Sequence, residues 1–424
     1  MALTKVTKEL IQGGLGVEWQ ATVKTGNFQA VASQGYFVNT TSNQVIVTMP
    51  PTASVGDIVS IVDYAGTAQT NNITITAQSN INGSANDVKI NYERGAVSII
   101  YSGTIQGWVA EFAANEGTSA FVTPIPVDYL VVAGGGSGTY SCCSRASGGG
   151  GAGGLRTSYT LPTGNSGGGS SAESSKSVIP KTSYDIVVGN GGIAPTVAGN
   201  QGASGDNSEF DVIISQGGGK GGHQQGAAFA GGSGGGGSAT FVGGAGTIDQ
   251  GFAGGDGSGH ASGGGGGAAA LGVNAGSPNT FYGGNGGAGL AVNILNATEA
   301  ASRSVGVVSG SDVYYSGGGG GGAYDTSRPR PSGGIGGGGA GAQGTYLGGA
   351  NGTPRTGGGG GAGTPSTSPG LGGDGGSGLV ILRYLTTSAP NGYSTTGITP
   401  VVIIDGTDTI LLFTTVGTGT ITFS

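Results

Sequence analysis

Charge, cysteine and long apolar runs are all scarce in this chain of 424 residues. Charged side chains are 9% of the total, with 15 Lys and Arg against 22 Asp and Glu, for a net charge of −7. That balance leaves no basic footprint for a polyphosphate, so nucleic acid is not an expected partner. The two cysteines are adjacent, Cys142 and Cys143, which is neither a disulfide framework nor a metal-binding spacing. No apolar stretch approaches the roughly 18 residues of a membrane-spanning helix, so no span is expected. Met1 to Thr7 is followed by Lys8 and Glu9 with no apolar core, so no secretory signal peptide is expected.

What the chain has instead is glycine, 100 residues of it. Glycine gathers into runs such as Gly148–Gly151, Gly234–Gly237, Gly263–Gly267, Gly317–Gly322, Gly336–Gly339 and Gly357–Gly361. Composition alone would make this a flexible linker. Three features favour order: the runs are of similar length, charge is almost absent from them, and bulky segments separate them. Examples of the last are Phe210-Asp211-Val212-Ile213-Ile214, Phe281-Tyr282 and Tyr314-Tyr315. Extended helices of polyproline II type have three residues per turn and no internal hydrogen bonds. Without Cβ atoms, several can pack side by side and satisfy one another's N–H and C=O groups. A six-glycine run would span about 19 Å at that rise. Collagen is excluded, because no strict Gly-X-Y period is present.

The stretch opens on Asp128-Tyr129-Leu130-Val131-Val132-Ala133-Gly134-Gly135-Gly136 and closes on Gly378-Leu379-Val380-Ile381-Leu382-Arg383-Tyr384. Those ends, with the alternation of runs and short loops between them, resemble the glycine-rich domains of bacteriophage virion proteins. They are similar in kind to the tail-fibre tip adhesins of T-even-like phages. The resemblance implies a sandwich of packed polyglycine II helices whose variable loops contact a host receptor. It covers about residues 128–385 and transfers no loop residue by residue.

The remaining chain reads as ordinary β-sequence. Strands are expected at 45–49, 58–63, 73–77, 97–101 and 108–112, where Val, Ile, Thr and aromatics alternate with Gly, Asn and Pro breaks. The segment from a GYFVNTTS-like hairpin at 35–42 to the GWVAEF-like strand ending at Phe112 resembles small modules of marine phage tail fibres. The expected fold is therefore mainly β plus irregular: a small antiparallel sandwich or barrel, then the glycine-rich domain framed by strands. Expected divisions are a docking peptide at 1–20, the β module for attachment and oligomerisation at 21–113, and a proline-stiffened connector at 114–127. The glycine-rich domain takes 128–385, and a C-terminal hairpin at 386–424 packs back on it, its turn signalled by Asp405-Gly406. Thr182–Gly189 and Ser208–Ile214 read as strands framing the polyglycine layer. The final strand, Ile410–Phe423, is expected to return beside Tyr129–Ala133.

Catalytic chemistry is thin. His223 and His260 lie in or beside glycine runs without a nearby carboxylate set, and read as solvated loop residues. GxGxxG strings recur by chance in a chain this rich in glycine, and none joins a strand to a helix. The nearest approach to a calcium-type cluster is Asp206 to Asp211, among otherwise scattered carboxylates. No nucleophile–base pair, metal or cofactor is expected, and the chain does not read as an enzyme. Aromatic and arginine side chains in the loops are the more informative signal, because Tyr, Trp and Arg concentrate binding energy at interfaces. The candidates are Tyr140, Arg145, Tyr324, Asp325, Arg328, Arg330, Tyr346 and Arg355. Runs of similar length should send alternate loops to opposite ends, with Tyr140–Arg145 and 324–330 at the end away from the opening strand. For Phe281-Tyr282 and Tyr314-Tyr315 a structural role is the preferred reading.

These observations lead to a phage fibre or tip protein that binds a protein or glycan receptor, reached by host lysis. The resemblance implies trimers, joined to other virion proteins through the N-terminal region. A purely structural capsid or tail component stays open as an alternative, and an ice-binding or secreted glycine-rich protein fits less well.

Overall fold

The computed structural model describes residues 17–114, 124–140, 146–197, 200–223, 226–276, 282–324, 326–327, 329–344, 348–364 and 370–424, with backbone alone at 111–114. The chain is mainly β and divides into two compact units between Ile125 and Pro126. Most of the expected docking peptide, along with the middle of the connector, lies outside the described residues.

The first unit holds β1 (Glu18–Trp19), β2 (Phe28–Gln29), β3 (Gln34–Val38), β4 (Val45–Thr48), β5 (Ile58–Asp63), β6 (Ile73–Thr76), β7 (Val88–Ile90), β8 (Ala96–Tyr101) and β9 (Trp108–Ala114). They form two sheets, ordered β1-β3-β5-β8-β9 and β2-β4-β6-β7. The module is thus a sandwich and not a barrel. Its first six strands alternate between sheets. A chain that crosses at each connection returns to the same sheet pointing the same way, so β1, β3 and β5 pair in parallel, as do β2, β4 and β6. Antiparallel pairs enter with β7, β8 and β9. For the same reason 35–42 is not a hairpin: β3 and β4 belong to different sheets. Between the sheets lie Ile61, Ile73, Ile75, Ile90, Ile99 and Trp108, all fully buried. Asp63 is buried with them, and its carboxylate accepts from the N–H groups of Gly66, Ala68 and Arg94, which offsets the desolvation of the charge.

β10 (Ile125–Val132) starts at the division, and all but its first residue belongs to the second unit; it is followed by β11 (Leu155–Thr157), β12 (Lys176–Val178), β13 (Ser183–Val188), β14 (Ser208–Phe210), β15 (Ile213–Ser215) and β16 (Leu290–Ala291). After α1 (Ala297–Arg303) come β17 (Val307–Ser309), β18 (Asp312–Tyr315), β19 (Leu379–Leu385), β20 (Tyr393–Thr396), β21 (Val401–Asp405), β22 (Asp408–Phe413) and β23 (Gly417–Phe423). The opening and closing strands of the glycine stretch pair directly, β10 with β19, antiparallel from Asp128↔Arg383 to Val132↔Leu379. Their sheet is ordered β11-β10-β19-β22-β21, with β12 also on β10. A second sheet runs β15-β14-β13-β23-β20 and a third β16-β18-β17.

Asp405-Gly406 does turn a hairpin, with Asp405 opposite Asp408 and Gly406 at φ 64. The C-terminal strands return to this unit, but not beside Tyr129–Ala133: β22 lies on β19, and β23 on β13. The strand β19 already occupies that flank of β10, while β11 holds the other. The expected strand at 208–214 is a tight hairpin, because Asp211 takes φ 54 and reverses the chain between β14 and β15. Tyr315 is fully buried with Leu130, Leu379 and Ile381 in the core under the first sheet, in line with a structural role for the Tyr314-Tyr315 pair.

Between these sheets the glycine runs form a lattice. The segment 148–154 is central to it. Gly148, Gly151 and Gly154 donate to the carbonyls of Gly222, Gly219 and Gln216; Gly149 and Ala152 donate to Gly263 and Gly266; Gly150 and Gly153 donate to Gly360 and Gly357. Every third residue therefore meets the same neighbour, as a three-residue-per-turn helix dictates. Three further segments donate back: Ala133 and Gly136 to Gly154 and Gly151, Ser233 and Gly236 to Ala152 and Gly149, and Gly319 to Gly150. Six neighbours thus surround one run. Its glycines all avoid positive φ, consistent with a left-handed extended helix. A Cβ on Gly150 would lie 2.1 Å from the carbonyl oxygen of Gly136, so the packing demands glycine. The tract Gly336–Gly339 is not one straight run. Gly336 and Gly337 take φ 97 and 98 and turn the chain, a conformation only glycine adopts cheaply.

Candidate functional site

Successive runs traverse the lattice in opposite directions, so their connections fall at two ends. One end carries the β10 sheet. At the other, Gly222, Gly236, Gly263 and Gly322 stand level with Ser147 and Gly148. The loops there are rooted by hydroxyl groups on run-end carbonyls. Ser147 Oγ donates to the carbonyls of Thr139 and Gly363, and Thr139 Oγ1 donates to that of Gly222. Ser262 Oγ donates to the carbonyl of Ser147 and accepts from the N–H of Gly322. Ser238 Oγ donates to the carbonyl of His223. The carbonyls of Thr139, Ser147, Gly222 and His223 each accept from a main-chain N–H as well, so the hydroxyls fill a second lone pair there, and Ser147 serves the carbonyl of Gly363. Sequence reading missed these serines. A serine standing immediately before a run, as in Ser147-Gly148 and Ser262-Gly263, was the available signal.

The lattice margins are closed by short amide and carboxylate side chains. Asn351 accepts from the N–H of Asp374, whose carboxylate accepts from the N–H of Ala194. Asn274 accepts from Asp256, which in turn accepts from Gly243. These side-chain oxygens take four N–H groups, those of Asp374, Ala194, Asp256 and Gly243, for which no main-chain acceptor stands among the described residues.

The predicted residues divide as follows. Tyr140 lies at the end away from β10, but it is buried to 6% exposure and offers little ring surface. Tyr324 lies at the same end and is 40% exposed, its ring centroid 6.5 Å from that of His260. The His260 carbonyl accepts from the N–H of Ala146, so the Tyr140 and Tyr324 loops share a root. Arg330 folds down, donating to the carbonyls of Ala340, Gly341 and Gly348, and so staples run ends. Arg355 lies at the opposite end, where its guanidinium donates to the carbonyl of Arg303, at the end of α1. Arg145, Asp325, Arg328 and Tyr346 lie outside the described residues, as does Phe281. Also at or near the loop end, and not singled out by sequence, are Phe229 with Lys220 Nζ 4.2 Å from its ring centroid, and the exposed Val197 and Val242.

His223 stands where the run 216–222 ends, buried, its Nε2 without a hydrogen-bond partner among the described residues. It is not the solvated loop residue expected, and burial lowers its pKa. At the β10 end, Tyr129 O–H donates to Glu173, which also pairs with Arg156 at 2.6 Å. Burial foremost, then this bond, raises the Tyr129 pKa, and the bond to Glu173 raises that of Arg156. The cluster is fully paired and structural. Asp206 and Glu209 line an open cleft of about 550 Å³, whereas Asp211 pairs with Lys176 at 2.6 Å. The three carboxylates are divided, and no group of three His, Cys, Asp or Glu converges among the described residues.

No curated protein matches this sequence. A family model described as a glycine-rich domain matches residues 113–385, the span that opens at the connector and ends on β19. With the backbone lattice of 133–378 at its centre, the chain belongs to the glycine-rich domain family.

Proposed function

We propose that this chain is a phage virion fibre or tip protein that binds a host-surface receptor, without covalent chemistry, through the loops at the end of the lattice away from β10. The observation that carries this reading is the separation of scaffold from display. Hydrogen bonds between main chains hold the lattice, so loop side chains are free to serve recognition, as binding loops on rigid scaffolds do. Tyr324 stands half-exposed there, and a partly exposed aromatic ring on a pinned root loses little entropy on binding. The N-terminal sandwich is left to attach the chain to its particle.

The test is attachment of the labelled full chain to bacterial cells, beside a Tyr324→Ala, Arg328→Ala double variant. Binding is expected to fall about ten-fold or more, as for loss of a hot-spot aromatic. Stability should stay within about 0.5 kcal/mol, as for surface changes. Unchanged attachment would remove this loop from the site. A wild-type chain that decorates no cells would favour the purely structural virion role.

A further inference from the structure

Asparagine stands directly before glycine five times in this chain, at Asn82-Gly83, Asn190-Gly191, Asn285-Gly286, Asn351-Gly352 and Asn391-Gly392. The dipeptide carries a reaction of its own. The glycine nitrogen can attack the asparagine amide carbon and close a five-membered ring, because the glycine has no side chain to obstruct the approach. All five pairs share this local chemistry, so the fold is what tells them apart.

It does so at the nucleophile. Four of the glycine N–H groups are held by main-chain carbonyls: Gly83 donates to Gln106 at 2.9 Å, Gly286 to Ser332 at 2.9 Å, Gly352 to Asp374 at 2.7 Å and Gly392 to Ala389 at 2.9 Å. Each bond must break before the nitrogen can turn to its own side chain. Two of the asparagines are committed as well, since Oδ1 of Asn285 accepts from the Ser332 N–H and Oδ1 of Asn351 from the Asp374 N–H. Gly191 is different. No main-chain carbonyl takes its N–H among the described residues. It points instead at the preceding side chain, 3.0 Å from Asn190 Oδ1. The amide carbon lies one C=O bond, about 1.23 Å, from that oxygen. Nucleophile and electrophile are therefore already gathered, which is how proximity raises a rate. Asn190 is exposed and lines the open cleft that also holds Asp206 and Glu209, so water and hydroxide reach it.

We infer that Asn190-Gly191 is a self-modifying site, at which the folded chain deamidates ahead of its other Asn-Gly pairs. Hydroxide removes the Gly191 N–H proton, and the nitrogen lone pair forms a bond to Asn190 Cγ. The Cγ–Nδ2 bond breaks, and that nitrogen leaves as ammonia with a proton from water, which returns the hydroxide. One water then opens the cyclic imide at either carbonyl, giving aspartate or isoaspartate at position 190. In sum, one amide and one water become one carboxylate and one ammonium. Either product adds a negative charge beside Asp206 and Glu209. The iso form also routes the main chain through the former side chain and lengthens it by one carbon. That carbon enters a lattice seam: the Asn190 carbonyl accepts from Asp206 N–H, the Gly192 N–H donates to Gly135, and the Gly192 carbonyl accepts from Gly375 N–H. This inference does not depend on the receptor reading.

The test follows the folded full chain through incubation in mildly alkaline buffer, with digestion and mass spectrometry that separates asparagine, aspartate and isoaspartate peptides. Asn190 is expected to convert about ten-fold faster than each of the other four, the factor that one main-chain hydrogen bond broken beforehand corresponds to. In denaturant, where those bonds are absent, the five rates should converge. On isoelectric focusing the folded wild type should split into two charge forms while Asn190→Gln stays single, because its larger ring closes slowly. An Asn190 rate no higher than the others in the folded chain would overturn the inference. The same ranking in denaturant would overturn it too, by tracing the rate to neighbouring sequence, as would an Asn190→Gln chain that splits like the wild type.

Discussion

In the N-terminal sandwich Ile61 lies among Val38, Val59, Ile73 and Trp108, with no exposure to solvent. In the glycine-rich unit the corresponding central position is Gly150, which touches the main chains of its neighbours and carries no side chain at all. One region coheres by removing apolar side chains from water. The other closes its hydrogen bonds across six neighbouring segments and packs main chain against main chain. The first core is encoded residue by residue. The second is encoded by the absence of side chains, so its tolerance is reversed: what would be a conservative addition in a sandwich becomes a collision in the lattice.

The largest effect should come from breaking the lattice at its centre. Gly150→Val places a branched side chain where a Cβ alone would be 2.1 Å from a carbonyl oxygen. A cost of about 3 kcal/mol or more is expected, since overpacking in a close-packed interior already reaches that figure. Calorimetry should show the transition of residues 126–424 lowered or lost while that of the sandwich persists. Loss of both together would show that the two cores are not independent. Ile61→Ala supplies the converse. A cavity among buried aliphatic side chains costs about 2–5 kcal/mol, and here the sandwich transition should fall while the lattice transition stays.

A smaller effect sharpens the comparison at the edge of the lattice, where His223 is buried against main chain. Burial disfavours its charged form and lowers its pKa from the ordinary 6.5. Above that value neither the folded nor the unfolded state binds the proton. As pH falls below it, the unfolded chain binds the proton first, so stability falls with pH. The melting temperature of the lattice should drop between neutral pH and pH of about 5, and less so in His223→Asn. An identical pH profile in the variant would assign the loss to carboxylates instead.

Much of this architecture was legible in the sequence because glycine runs of matched length, bounded by Tyr129–Val132 and Leu379–Arg383, have few ordered solutions. The bounding strands pair with each other, as two ends of one layer must. Strand direction in the sandwich was not legible. Val45–Thr48 and Ile58–Asp63 advertise β-structure, but nothing in them records that the chain crosses between sheets at each turn. Among the candidate residues, composition marked Tyr324 and Tyr140 alike. Only the fold separates a ring standing at 40% exposure from one at 6%. Arg330 and Arg355 are candidates because arginine concentrates binding energy at interfaces, yet in the structure their guanidinium groups donate to carbonyls.

The three-residue repeat that lets Gly148, Gly151 and Gly154 share one partner has a consequence for how such chains diversify. A glycine run carries almost no positional information beyond its phase. Recombination that joins run to run in the same phase therefore preserves every lattice bond while exchanging all that lies between. A length change by whole triplets of residues slides a segment along its neighbours by one turn and keeps the same faces in contact. The scaffold is thus a set of interchangeable sockets, and a whole loop, not a single residue, is the natural unit of change at its surface.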